Sequence, residues 1–102
     1  MVEVRWTAQA IHDIESISEY IARDSEHYAK VQAKRFFEAV IILEKQPKYG
    51  KVVPEKQTPS LREILTGSYR IIYRILDDHR IDVITVHHSK RLLSNNPYIK
   101  KL

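Results

Sequence analysis

The chain has 102 residues, no cysteine and a net charge of +4. This limits it to one ordinary domain, residues 1–102, without disulfide staples, thiolate metal sites or a cysteine nucleophile. The charge is uneven: residues 1–50 carry 7 Lys/Arg against 8 Asp/Glu, whereas residues 51–102 carry 10 against 5.

A basic second half suits an acidic or nucleic-acid partner, or simply a solvated surface. The first residues lack the apolar run of a signal peptide, and no stretch approaches the ~20 apolar residues of a membrane span. With cysteine absent as well, a reducing cytoplasmic setting is the expectation.

Val2-Glu3-Val4-Arg5-Trp6 alternates apolar and polar residues with period two, a short strand. Thr7 then offers an N-cap. Ile11, Ile14, Ile17 and Ile21 recur at helical spacing, with Asp13, Glu15, Glu19 and Arg23 on the remaining faces, so residues 8–23 read as an amphipathic helix. Asp24-Ser25 breaks it.

Tyr28, Val31, Phe36, Val40 and Leu43 set the spacing of a second helix over residues 26–46, about 30 Å long and ended by Pro47. The short link folds the two helices into a hairpin. Residues 47–60, with Pro47, Pro54, Pro59 and Gly50, read as a loop.

Three strands follow: Leu61–Leu65, Tyr69–Leu76 and Ile81–His88. Gly67-Ser68 suits a two-residue type II′ turn, and Asp77 to Arg80 supplies the second turn. The pattern predicts an α+β fold of order β-α-α-β-β-β, an antiparallel sheet with the helical hairpin packed on one face. The basic tail, residues 89–102, is broken by Pro97 and has room for one or two helical turns.

The turn at Asp77–Arg80 fixes a register. Tyr69 then faces His88, Ile71 faces Val86 and Tyr73 faces Ile84, a largely apolar set suited to the helices. On the other face Arg70 meets His87, Ile72 meets Thr85 and Arg74 meets Val83, with Glu63 diagonal to both arginines. That face is expected to be exposed. Two readings compete there. Arg70 and Arg74 can grip phosphate or carboxylate with His87 as acid or base, or Glu63 simply pairs with the arginines.

His88, against Tyr69, reads as a hydrogen-bonded histidine at the core edge. His87 and His88 point to opposite faces of one strand, and His12, His27 and His79 lack convergent partners, so no metal site is expected. No glycine-rich phosphate loop or nucleophile elbow occurs, and no cofactor is expected.

Taken in order, Trp6-Thr7 ahead of a helix, Pro59-Ser60-Leu61-Arg62-Glu63, Gly67-Ser68-Tyr69-Arg70-Ile71-Ile72-Tyr73-Arg74 and Val83-Ile84-Thr85-Val86-His87-His88-Ser89 resemble the RelE/ParE superfamily over nearly the whole chain. These are toxins of type II toxin–antitoxin modules. The resemblance implies a hetero-oligomer with a cognate antitoxin and one of two targets, or else a non-toxic member that only binds an antitoxin or nucleic acid as a regulatory module.

ParE-like members bind DNA gyrase, which would make Arg62, Arg70, Arg74, His87 and Arg91 part of a binding surface. RelE-like members cut mRNA on the ribosome, which would give Arg70 the phosphate-clamping role and His87 or His88 the acid–base role. RelE-like proteins usually carry two lysines on the strand before Tyr-Arg, where this chain has Leu61 and Glu63. No tyrosine closely follows His88, since Tyr98 comes only after Pro97. These departures favour the ParE-like reading.

Overall fold

The computed structural model describes residues 1–102. Thr7 caps the first helix: its backbone is extended and its hydroxyl accepts the Ala10 N–H at 3.1 Å. Strand β1 (Glu3–Trp6) thus passes directly into α1 (Ala8–Ala22). Ser25 caps α2 (Glu26–Ala39) in the same way, through the Tyr28 N–H.

The second helix is shorter than its apolar spacing suggests. Val40, Ile41 and Ile42 are consecutive β-branched residues, which crowd a helical turn. The chain tightens there into a 3₁₀ turn, Ile41–Glu44, which buries Leu43 completely. The Glu44 carbonyl then accepts the Val2 N–H at 2.9 Å and anchors the start of β1.

The sheet has five strands: β1, β2 (Lys51–Val52), β3 (Leu61–Thr66), β4 (Tyr69–Asp77) and β5 (Arg80–His88), in spatial order β1-β5-β4-β3-β2. The expected meander of β3, β4 and β5 is present. The fold is α+β, but the sheet is mixed rather than wholly antiparallel. β1 pairs parallel to β5, Val4 opposite Ile81, because the helical hairpin carries the chain across the sheet between them. The two-residue strand β2 lies within the span read as loop.

Gly67 has φ +57 while Ser68 does not enter the left-handed region, as a type II′ turn requires. The β4–β5 register follows expectation from Tyr69/His88 to Ile72/Thr85 and then slips. Tyr73 faces Val83 rather than Ile84, and Arg74 faces Asp82 rather than Val83. Ile84 is the extra residue of a bulge. A second irregularity at Leu76 restores the count, so Asp77 still faces Arg80. The bulge puts Val83 in the helix-facing core and lets Ile84 pack on the opposite side.

That opposite side is the main departure from the sequence reading, because it is covered. Val53 from the loop and Leu93 and Ile99 from the tail pack on Leu61 and Ile72, forming a second small core. The tail makes a 3₁₀ turn (Leu93–Asn95) and one helical turn, α3 (Pro97–Lys100), capped by Asn96. Each buried Leu or Ile side chain contributes about 1.5–3 kcal/mol, enough to hold a short tail in place.

Tyr73 ties the loop to the sheet. Its buried hydroxyl donates to the Pro47 carbonyl at 2.7 Å and accepts the Gly50 N–H at 3.0 Å, and burial pushes its phenol pKa up. A Cβ on Gly50 would sit 2.6 Å from the Glu63 carbonyl oxygen and 2.8 Å from the Tyr73 ring. Gly50→Ala is therefore expected to destabilise the fold by about 1–3 kcal/mol. Urea denaturation checks this, and an unchanged midpoint would contradict the close approach.

Candidate functional site

Arg70 stands on β4 between two carboxylates. Its Nε donates to Glu63 Oε1 of β3 at 2.6 Å, with Nη2 also 2.6 Å from that oxygen, and its Nη1 and Nη2 donate to the two oxygens of Glu55 at 2.8 Å each. Glu63 Oε2 also lies 3.6 Å from the Lys51 ammonium on β2. The Glu63 side chain is 2% exposed and the Glu55 side chain 45%.

One guanidinium thus links an inner carboxylate to an outer one in charge-assisted geometry. Glu55 raises the Arg70 pKa most, with Glu63 adding to it, and the same contact lowers Glu55 from its ordinary 4.5 to about 2. Arg70 and His87 are each only 8% exposed, so neither is offered on an open sheet face. The loop and tail that build the second core lie over them.

His87 sits opposite Arg70, as the register predicts. Its Nε2 lies 3.0 Å from the Arg91 carbonyl and its Nδ1 3.2 Å from Asn96 Nδ2. The Asn96 amide orientation is fixed by its cap, in which Oδ1 accepts the Tyr98 N–H. Asn96 therefore donates to Nδ1, and the ring proton belongs on Nε2, facing the Arg91 carbonyl.

Asn96 Nδ2 also reaches Thr85 Oγ1 at 3.3 Å, and Thr85 hydrogen-bonds Asp13 of α1. Asp13 accepts the Val86 N–H at 3.0 Å as well. That N–H belongs to the part of β5 extending beyond β1, so Asp13 closes an otherwise open strand edge. Neither Asp13 nor Asn96 was singled out by spacing. Asp13 falls on the polar side of its helix, and only the fold brings it to β5.

The other expected residues separate. His88 lies edge-on to Tyr69, with ring centroids 5.3 Å apart, and its Nδ1 accepts the Lys90 N–H. Arg62 donates to the Pro59 and Gly50 carbonyls at 2.9 Å, stapling the loop. Arg74 and Arg91 are exposed and make no ion pair. Arg74 lies toward Thr58, Ser60 and the end of the tail. Arg91 is at the mouth of a cleft of about 380 Å³ shared by Glu55, Lys56, Arg70, Lys90 and Lys100. The predicted cations thus form two groups, staples paired within the chain and a free basic rim.

Comparison with known proteins decides the family. Residues 4–93 match the family described as ParE toxin of type II toxin–antitoxin system, parDE. The chain belongs to the ParE toxin family. This ParE-family chain is 28% identical over 92 residues to Toxin RelE2 of Caulobacter vibrioides, covering 90% of the chain and all of that relative. It also matches a solved chain of the chromosomal ParDE toxin–antitoxin system from P. aeruginosa. That match has a TM-score of 0.71 at 18% identity, over 88% of this chain and 98% of the other.

Arg70→Leu strands Glu63 in a buried position and should cost about 3–5 kcal/mol, whereas the Arg70→Leu/Glu63→Leu double variant should recover most of that loss. Denaturant titration of the double-mutant cycle reads the coupling, and additive losses would contradict it.

Glu55 supplies the pH test. Its folded pKa lies below its unfolded value, so its contribution is complete above about pH 4.5 and is lost as pH falls toward 2. Glu55→Gln should therefore lower the denaturation midpoint near neutrality, and the gap to the unmodified protein should close across that window. A gap that persists at pH 2 would contradict the pairing.

Proposed function

We propose that this ParE-family chain is a toxin held inactive by a cognate antitoxin, and that it acts in the cytoplasm by binding DNA gyrase rather than by cutting RNA. The supporting observation is the state of its two best catalytic candidates. Cleavage of an RNA phosphodiester through the 2′-hydroxyl needs a free cation at the phosphate and groups able to accept and donate a proton. Arg70 has its donors directed at Glu55 and Glu63, and both His87 nitrogens have partners within the chain. His88 lies on the helix side of the sheet, near Tyr69. In the free protein Arg70 and both His87 nitrogens are therefore engaged within the chain, and His88, whose Nδ1 accepts the Lys90 N–H, stands apart from them.

The chain's remaining cations suit contact with a large partner. In this reading Arg74 and Arg91 meet the target or the antitoxin, while Arg62, Arg70 and His87 hold the loop and tail that shape the surface. Gyrase is the first choice because of the family match and the departures at Leu61 and Glu63. An antitoxin partner accords with the solved ParDE relative.

One preparation tested side by side separates the mechanisms. Gyrase supercoiling should be inhibited with accumulation of cleaved DNA complexes, while mRNA on translating ribosomes stays intact. Ribosome-dependent mRNA cleavage with unaffected gyrase would overturn the proposal and return Arg70, His87 and His88 to catalytic roles.

A further inference from the structure

Glu55 and Glu63 hold the same guanidinium in different ways. Glu63 is on a strand, almost fully buried, and one of its oxygens meets both Nε and Nη2 from beneath. Glu55 is half exposed, lies in the loop between β2 and β3, and takes the fork formed by Nη1 and Nη2, which faces the cleft. Lys56 and Gln57 donate their N–H groups back to the Val53 carbonyl, so the turn around Glu55 is held by its own backbone. The Glu55 side chain can therefore rotate away without dismantling the turn.

The cleft also has more positive charge than Glu55 neutralises. Lys56, Lys90, Arg91 and Lys100 line it with Arg70, and none of the four makes an ion pair. Glu55 is the one carboxylate in the lining.

We propose that the outer face of Arg70 is an exchangeable carboxylate seat: Glu55 occupies it in the free protein, and an acidic side chain from an apolar–acidic segment of a partner protein displaces Glu55. The seat already accommodates a planar two-oxygen ligand, the geometry that suits Arg. Leu92, 70% exposed beside the cleft, gives the flanking residues of such a segment an apolar contact. The lining contains no aromatic ring, so a nucleic-acid strand would find no stacking platform there. The partner therefore reads as an acidic peptide rather than RNA or DNA. An antitoxin would fit this chemistry, and the inference rests on the toxin reading only for that identity.

Displacement predicts self-competition: the seat is available only in the fraction of molecules whose Glu55 has swung out, which weakens apparent affinity by that fraction. The probe is the capped peptide acetyl-Leu-Glu-Leu-Leu-amide, with its Gln counterpart, inorganic phosphate and a ten-residue oligothymidylate as comparisons, all titrated into the full chain by calorimetry. Glu55→Gln removes the competing charge at a half-exposed position, and should tighten binding of the acidic peptide about tenfold, as release of a seat closed nine-tenths of the time would do.

Binding should weaken with salt, the Gln peptide should lose most of its affinity, and Lys90→Ala/Arg91→Ala should weaken the acidic peptide without altering the fold. Equal peptide affinity with and without Glu55 would overturn the exchange, as would no peptide binding to Glu55→Gln. Tighter binding of phosphate or the oligonucleotide would overturn the carboxylate assignment. Gyrase inhibition by the same preparation judges the proposed function separately.

Discussion

A guanidinium beneath a loop has to find partners for its N–H groups, and Arg70 finds them on two sides. Glu63 approaches from the neighbouring strand and Glu55 from the loop above. Removing either the cation or the inner acid would leave a charge stranded in a poorly hydrated place. The triad therefore links strand pairing to loop position. Much else in the site depends on that link, because the loop supplies Val53 to the second core and brings Lys56 to the cleft.

Around this triad the second face of the sheet is closed by two small apolar contributions and one polar chain. Leu93 and Ile99 seat the tail on Ile72 and Leu61, while Asn96 joins the tail to His87 and Thr85. Asp13 extends the same hydrogen-bonded line to the first helix and caps the exposed part of β5. Buried polar groups that are fully paired rigidify a site. His87 thus helps define the position of the tail.

Much of this was legible in the chain. The caps at Thr7 and Ser25, the type II′ turn at Gly67 and the pairing of Arg70 with His87 all follow from local rules about spacing and turn chemistry. The bulge at Ile84 was not, since an extra residue in one strand leaves alternation intact on either side of it. The covered second face had a signal in Ile72, Ile84, Leu93 and Ile99, apolar residues with no role in the helix-facing core. Glu55, Asp13 and Asn96 reach the site only through tertiary folding, and no periodicity marks them.

The basic character of the second half of the chain also resolves into parts. Arg62 and Arg70 are tied down by carbonyls and carboxylates, whereas Arg74, Arg91 and the lysines around the cleft remain free. A count of charges cannot separate these classes; the partners of each side chain can. The most direct measurement is side-chain nitrogen NMR of the Arg70 Nε–H in the free protein. A sharp resonance that exchanges slowly with solvent, and shifts on Glu63→Gln, is the predicted result. A rapidly exchanging, freely rotating guanidinium that ignores that substitution would contradict the account.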